Sequence, residues 1–337
     1  MRGPALRLVI VTLVWGMSFP CTRAWQQAAK DSPAEGLLAG LTLIALRMGL
    51  ALLVLLLWQP ALRQATAREH RAGAIVGGAF LLGFILQTWG MSYTTPSLSA
   101  FFTCLCSAWV PVLLLMMGQR VPPLTILGLA LGIIGCAVIV EGGWKLGMGE
   151  WLTIAASVAL AGQMILLDRL GKSVRAAMLS PAFMLTNALG GLMLAVLFAA
   201  LGPGVGTWAD WMGTSLRDPL LPWLIVLLAV LPTALGFHWM NAYQPLVSPS
   251  RAALIYLLEP LFTIMFSMSV WAITGAEGYD QPSWPLFVGG ALILLGNLVV
   301  EWLGAAKREP IVPENPTPES GVASDSKPEE QPCASSR

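Results

Sequence analysis

The chain contains 337 residues, of which 56% are hydrophobic and only 11% are charged, and its mean hydropathy is +0.72. These values lie well outside the range of soluble globular domains, so the composition excludes a soluble fold. The formal net charge of +1 gives no overall field, and therefore no reason to expect a nucleic-acid partner.

The apolar segments have the length of membrane-spanning helices. A helix needs about 20 apolar residues to cross a hydrocarbon layer of ~30 Å, because it rises about 1.5 Å per residue. Ten such segments are predicted, at residues 4–24, 37–58, 72–91, 96–118, 123–141, 149–169, 179–201, 221–242, 248–272 and 284–304. The first resembles a signal peptide, but no small-residue cleavage site follows it, so we expect it to remain as a span. The predicted fold class is an all-α integral membrane protein with ten transmembrane helices.

The positions of Lys and Arg predict the orientation of the chain. If the N-terminus is cytoplasmic, twelve of these residues fall in cytoplasmic segments and four fall outside. Lys and Arg are enriched in cytoplasmic loops of membrane proteins. We therefore expect a multi-pass protein of the plasma (inner) membrane with both termini in the cytoplasm. Residues 305–337 are rich in Pro, Glu and Ser, and this composition predicts a disordered cytoplasmic tail.

The two halves of the chain repeat a similar order of residues. An offset of 150, which becomes 149 after the tyrosine, pairs Trp89 with Trp239, Tyr93 with Tyr243, Pro96 with Pro245 and Pro111 with Pro260. Further matches pair Gly128 with Gly289, Gly135 with Gly296 and Gly16 with Gly162. These matches predict two five-helix units, residues 1–143 and 144–304. Because five is odd, the second unit enters the membrane in the opposite orientation. Inverted repeats of this kind place a solute site near the bilayer midplane.

The residues assembled so far resemble the EamA family of the drug/metabolite transporter superfamily. The matching positions are Trp15-Gly16 with Phe19, Arg47, the segment from Tyr93 to Pro111, the glycine-spaced fifth and tenth spans, and the segment from Trp239 through Ser250-Arg251-Ala252-Ala253 to Glu259-Pro260-Leu261. The resemblance covers about residues 5–304. It implies ten helices, transport of small metabolites, and a central cavity lined by the first, third, fourth, sixth, eighth and ninth spans.

Proline residues inside the spans mark candidate bending points. Pro111 and Pro260 occupy equivalent places in the fourth and ninth spans, and each lacks an N–H for the carbonyl four residues earlier. Pro232 in the eighth span likewise frees the carbonyl of Leu228. A free carbonyl in hydrocarbon must face protein or a water-filled cavity. Pro111 and Pro260 are therefore predicted as hinges, with a static kink as the alternative.

Glu259 lies near the middle of the ninth span, where an ionised side chain costs at least about 2.5–3.5 kcal/mol. We expect it to face the interior. It is predicted to be a proton-coupling or cation-recognising carboxylate, and the alternative is a structural pair with Arg47, which also lies near mid-span.

The remaining candidates for solute binding are polar or aromatic side chains within apolar spans. They are Trp15, Ser18, Trp109, Gln163, His238 and Tyr256. The aromatic residues are predicted to form cavity walls. Gln163 adjoins Gly162, the counterpart of Gly16, which favours a position on the cavity. An unperturbed histidine changes charge near neutral pH, which makes His238 a candidate site residue, and a hydrogen-bonded structural histidine is the alternative.

Other classes of function fit the sequence less well. The chain has only two histidines and no clustered metal ligands, so we predict no catalytic residue, no metal and no cofactor. The partners expected are a small-molecule solute and membrane lipid, and the sequence leaves open whether the protein forms a homodimer. We predict a secondary transporter that moves a small organic metabolite by alternating access, as a proton-coupled exporter. A lipid-carrier or lipid flippase of the same superfamily is the alternative.

Overall fold

The computed structural model describes residues 2–121, 123–139, 147–285, 287–292 and 295–296, and these residues form helices joined by short connections. Eight helical segments of this part are long and apolar enough to cross a membrane. They are Gly3–Ala28, Leu37–Trp58, Ala67–Gly90, Pro96–Met116, Met148–Gly171, Ala176–Leu201, Leu221–Leu246 and Pro249–Thr274. The predicted all-helical membrane fold is confirmed to this extent.

The predicted fifth and tenth spans are not among these eight segments. The fifth corresponds to a helix of 17 residues, Pro123–Ile139. In the tenth, residues 284–285, 287–292 and 295–296 are helical, and the rest of that span and the predicted tail lie outside the described residues. The count of ten and the repeat stay predictions.

The helices are numbered in chain order. They are α1 (Arg2–Ala28), α2 (Leu37–Trp58), α3 (Ala67–Gly90), α4 (Pro96–Cys104), α5 (Cys106–Met116), α6 (Pro123–Ile139), α7 (Met148–Gly171), α8 (Ser180–Leu201), α9 (Val205–Ser215), α10 (Leu221–Leu228), α11 (His238–Tyr243), α12 (Pro249–Tyr256) and α13 (Glu259–Thr274). Short 3₁₀ segments lie at Pro60–Gln64, Ala176–Leu179 and Gln244–Leu246, and a π-helical segment spans Ala229–Phe237.

Three predicted spans are interrupted rather than continuous. The fourth divides into α4 and α5 at Leu105, and the ninth divides into α12 and α13 between Tyr256 and Glu259. The eighth contains the π-helical segment Ala229–Phe237, with Pro232 inside it. Interrupted helices are tolerated at membrane depth where the backbone is buried in protein or lines a cavity.

The loop after the seventh predicted span also contains a helix that the sequence analysis did not predict. This helix, α9, buries Trp208, whose indole Nε1 donates a 2.9 Å hydrogen bond to the hydroxyl of Thr42 in α2.

Close packing brings helices of the two predicted units together. α3 packs along α7 and α8, α2 packs along α8, and α1 packs along α13. At the contact between α3 and α7, a Cβ added to Gly90 would lie 2.8 Å from the carbonyl oxygen of Gly149, and one added to Gly149 would lie 2.8 Å from that of Gly90. Gly296 of the tenth predicted span approaches Gly128 equally closely, since a Cβ there would lie 2.6 Å from the Gly128 oxygen. Small residues at helix contacts allow this approach in membrane proteins.

Candidate functional site

A cavity lies between the helices of the two halves. It offers about 70 Å³ to water-sized molecules, which is room for several waters at roughly 10–15 Å³ each. The lining residues are Trp15, Ser18, Phe19, Arg47, Phe80, Phe84, Gln87, Thr103, Cys106, Leu160, Gln163, Met164, Phe237, Met240, Tyr256 and Glu259. They belong to α1, α2, α3, α4, α5, α7, the π-helical segment, α11, α12 and α13.

Helical periodicity explains why particular side chains of one helix reach the cavity together. α1 contributes Trp15, Ser18 and Phe19, which are three and four residues apart and therefore share one face. The same spacing recurs in α3 with Phe80, Phe84 and Gln87, and in α7 with Leu160, Gln163 and Met164. The cavity is thus formed by continuous faces of three long helices, closed by the interrupted ones.

Aromatic rings form one wall of the cavity. The ring of Trp15 lies 5.2 Å from that of Phe237 and 5.3 Å from that of Tyr256, in tilted geometry. The indole Nε1 of Trp15 donates a 3.0 Å hydrogen bond to the carbonyl oxygen of Pro232. The hydroxyl of Tyr256 donates at 2.9 Å to Oε1 of Gln244. Both polar atoms are directed at protein, so these two rings offer the cavity mainly apolar surface.

Glu259 lines the cavity at the first residue of α13, and only 8% of its surface is exposed. The free N–H groups of a helix N-terminus favour a negative charge there. Its carboxylate has no hydrogen-bond or ion-pair partner within the part of the chain that the structure describes. The alternative of a pair with Arg47 is therefore not what the structure shows, although both residues line the same cavity.

Arg47 projects from the middle of α2, and only 2% of its surface is exposed. Its Nε donates a 2.9 Å hydrogen bond to the hydroxyl of Thr233 in the π-helical segment. Its guanidinium carbon lies 5.0 Å from the centre of the Phe84 ring, within the range of a cation–π interaction. From the sequence, Arg47 was predicted as a partner for Glu259 and not as a solute-binding residue of the cavity.

Gln163 presents an unused donor at the cavity. It is 2% exposed, and its Nε2 has no hydrogen-bond partner among the described residues. An unpaired buried donor costs about 1–3 kcal/mol, so such groups are normally satisfied by water or by a ligand. The position of this nitrogen on the cavity supplies a place for either.

The structure places two other predicted site residues away from the cavity. The ring of His238 is buried, and its Nδ1 lies 2.9 Å from the hydroxyl of Ser180, so the histidine joins α11 to α8. Trp109 is half-buried and packs against the core of the helix bundle. Neither lines the cavity, because α5 and α11 turn these side chains to other neighbours. Trp15, Ser18, Gln163, Tyr256 and Glu259 are the predicted residues that the structure brings together.

The two predicted hinge prolines occupy different positions within their helices. Pro111 lies inside α5, six residues after the break at Leu105, whereas Pro260 lies in the first turn of α13, directly after the break. The carbonyl of Tyr256, which Pro260 cannot bond, accepts a 3.4 Å hydrogen bond from the thiol of Cys104.

Among the residues for which coordinates are described, no three His, Cys, Asp or Glu side chains lie close enough together to hold a metal ion.

Comparisons with known proteins place the chain near an exporter. No family model matches the sequence. The chain is 25% identical over 312 residues to the "Probable terminal-alkyne amino-acid exporter" of Streptantibioticus cattleyicolor, covering 87% of this chain and 91% of that protein. One crystal structure of another protein superposes on the chain with a TM-score of 0.67 at 16% identity, over 92% of this chain and all of that one. Taken with the eight apolar helices, these similarities identify an integral, multi-pass helical membrane protein.

Proposed function

We propose that this protein exports a small solute of the amino-acid class by alternating access, with the central cavity as its binding site. The observation that carries the proposal is a set of polar groups on the cavity that described residues leave unbonded: the terminal guanidinium nitrogens of Arg47, Nε2 of Gln163 and the carboxylate of Glu259. Such groups are costly in hydrocarbon unless water or a solute binds them. The similarity to an amino-acid exporter supports both the class of solute and the direction.

The distribution of the lining residues supports alternating access. Nine of them come from residues 1–143 and seven from residues 144–304, so the cavity lies between the two proposed five-helix units. In inverted repeats, rocking one unit against the other exposes such a site to either side in turn. The present cavity of about 70 Å³ then represents a closed form that widens when solute enters.

We propose that the protein lies in the inner membrane with both termini in the cytoplasm. The excess of Lys and Arg in the corresponding loops supports it. Single cysteines introduced at exposed Gln64 and exposed Asp218 should react on opposite sides of intact cells, because Gln64 follows α2 and Asp218 precedes α10. Labelling of both positions from the outside would contradict this orientation.

Glu259 is proposed as the proton-coupling residue. A carboxyl group can take up and release a proton, and inside a membrane protein it exchanges protons with a compartment only when water from that compartment reaches it. The other titratable side chains that line the cavity are Arg47, Cys106 and Tyr256. Opening to the outside and to the inside would therefore allow Glu259 to exchange protons with both compartments.

Transport in reconstituted vesicles tests the proposal. Purified protein is reconstituted in liposomes that are preloaded with unlabelled L-propargylglycine, a terminal-alkyne amino acid. Labelled L-propargylglycine is then added outside, and its accumulation by counterflow is measured. We expect accumulation with the wild type, and a reduction of about tenfold in Gln163→Leu, which corresponds to losing one buried hydrogen bond of about 1.4 kcal/mol. The matched control is Gln64→Leu, because Gln64 is exposed and lies away from the cavity.

The same vesicles distinguish the alternative function. Accumulation that is equal in protein-free and protein-containing liposomes would contradict export of this class of solute. Movement of a fluorescent phospholipid between leaflets, without counterflow of the amino acid, would favour a lipid-carrier or lipid flippase instead.

A further inference from the structure

The charge of Arg47 lies in the membrane interior without an acidic partner in the described part of the chain. The two ion pairs found there are Arg175–Glu69 and Lys172–Asp168, and neither involves the cavity. A cation at this depth costs several kcal/mol unless a counter-charge or aligned dipoles offset it. The contacts with Thr233 and Phe84 orient the side chain, but they add no negative charge.

The backbone around Pro232 explains why Arg47 is held in one orientation. Pro232 has no N–H to offer the carbonyl of Leu228, and the hydroxyl of Thr233 donates to that carbonyl instead, at 2.6 Å. With its proton used in this way, the Thr233 oxygen can only accept, and it accepts from Nε of Arg47 at 2.9 Å. The π-helical segment therefore fixes one edge of the guanidinium group. Segments of this kind inside helices occur frequently at functional sites.

The opposite edge of the guanidinium group remains available. Arginine has five N–H donors, and the Nε donor is the one used by a described residue. The two terminal nitrogens form the planar fork that binds a carboxylate through two parallel hydrogen bonds. Arg47 is a lining residue of the cavity, so this fork is the cationic group that a solute would meet there.

We propose that Arg47 binds the free carboxylate of the transported solute, and that this contact is how the cavity selects carboxylate-bearing compounds over their uncharged derivatives. The inference rests on the proposed function, and it adds the chemical group that is recognised and the residue that recognises it. Glu259 and the unpaired Nε2 of Gln163 line the same cavity and remain for the other polar groups of the solute.

Binding measurements with three matched probes test the inference. The probes are L-propargylglycine, its primary amide, which lacks the carboxylate, and 4-pentynoate, which keeps the carboxylate and lacks the amino group. Affinities are measured by isothermal titration with detergent-purified protein. We expect the wild type to bind L-propargylglycine at least about tenfold more tightly than the amide, as for the loss of a charge-assisted bond of about 1.5–3 kcal/mol.

Substitution of the arginine should remove this preference. In Arg47→Gln, affinity for L-propargylglycine and 4-pentynoate should fall about tenfold or more, whereas affinity for the amide should stay within about twofold. The matched control is Arg23→Gln. Arg23, in α1, is like Arg47 an arginine within an apolar helix, but it donates to the carbonyl of Met91 at 3.1 Å and does not line this cavity.

Each outcome decides the inference. Equal binding of the acid and the amide by the wild type, or unchanged acid binding by Arg47→Gln, would overturn it while leaving counterflow transport intact. If Arg47→Gln does not fold, Arg47→Lys and Thr233→Val replace it, and each should weaken acid binding more than amide binding; equal effects would overturn the inference. If the wild type binds none of the probes and shows no counterflow, the proposed function itself fails.

Discussion

The hydroxyl of Ser107, in α5, donates a 2.7 Å hydrogen bond to the carbonyl oxygen of Ala253, in α12. Beside it, the thiol of Cys104 donates at 3.4 Å to the carbonyl oxygen of Tyr256. Both donors lie in the first predicted unit and both acceptors in the second, so the two hydrogen bonds join the interrupted fourth span to the interrupted ninth span.

Ser107→Ala should destabilise the helix bundle modestly. The substitution removes one buried hydrogen bond, with a net contribution of about 0.5–1.5 kcal/mol. The Ala253 carbonyl keeps its weaker bond from the backbone N–H of Leu257, at 3.3 Å, so the acceptor is not left empty. We expect a decrease of about 2–4 °C in the thermal midpoint in detergent, measured by tryptophan fluorescence.

The control for this substitution is Ser269→Ala. Ser269 is exposed on α13, and its hydroxyl donates to the carbonyl of Met265 one turn earlier in the same helix. Its loss should leave the midpoint unchanged. Equal midpoints for the two variants would mean that the contact between α5 and α12 contributes nothing measurable to stability.

Pro260→Ala should slow transport more than it alters stability. Alanine restores an N–H for the Tyr256 carbonyl, which favours a continuous helix across the break between α12 and α13. If the break bends during the transport cycle, the rate of counterflow should fall about tenfold, with the thermal midpoint equal or higher. Pro222→Ala is the control, because Pro222 lies in the first turn of α10, away from the cavity and from the break in the ninth span, and should not change the rate. A wild-type rate in Pro260→Ala would show that Pro260 forms a static kink.

The eight long apolar segments were predictable from the sequence because the bilayer restricts the length and polarity of a span. A polar or aromatic side chain within an apolar span must face the protein interior, and this reasoning selected Trp15, Gln163 and Glu259, which the structure places around one cavity. The contacts of Arg47 were not predictable in the same way. Which buried polar groups approach each other depends on the rotation of each helix about its axis, which hydropathy does not determine.

Irregular helix geometry was likewise predictable from the sequence at some positions and not at others. Pro232 indicated a disturbed helix, and the structure has a π-helical segment there, with the hydroxyl of Thr233 bonded to the carbonyl that Pro232 leaves free. The break at Leu105 follows no proline or glycine in its own turn, so it was not predictable from local residues, and α4 and α5 both pack against α7 of the second half. Sequence matching also paired Pro96 with Pro245, whereas the structure starts α4 at Pro96 and α12 at Pro249.

Two glycines that correspond in the sequence should respond differently to substitution by alanine. A Cβ added at Gly16 would lie 2.5 Å from the Cβ of Phe262 and 2.8 Å from the backbone nitrogen of Thr263. A Cβ added at Gly162 would meet nothing within 4 Å. The contact between α1 and α13 therefore depends on the first glycine, and the second position is open.

Gly16→Ala should force α1 away from α13 and cost about 1–3 kcal/mol, the usual penalty for overpacking. Gly162→Ala should be neutral or stabilising by up to about 1 kcal/mol, because alanine favours helix more than glycine does. Thermal midpoints and monodisperse yields in detergent measure both. A Gly16→Ala protein that is as stable as Gly162→Ala would contradict the close packing of α1 on α13.

Glu259→Gln should uncouple transport from the proton gradient. The amide keeps the size and the hydrogen-bonding capacity of the side chain, but it cannot release a proton, so the substituted protein should remain inserted and folded. In vesicles with an imposed pH difference, wild-type accumulation of L-propargylglycine should increase with the gradient, whereas Glu259→Gln should show gradient-independent counterflow at a similar rate.

Asp210→Gln is the control, since Asp210 lies on the exposed side of α9, away from the cavity. Because Cys106 and Tyr256 also line the cavity, Cys106→Ser and Tyr256→Phe are measured in parallel, and both should keep the dependence on the gradient. A gradient dependence that persists in Glu259→Gln would remove this carboxylate from the coupling step.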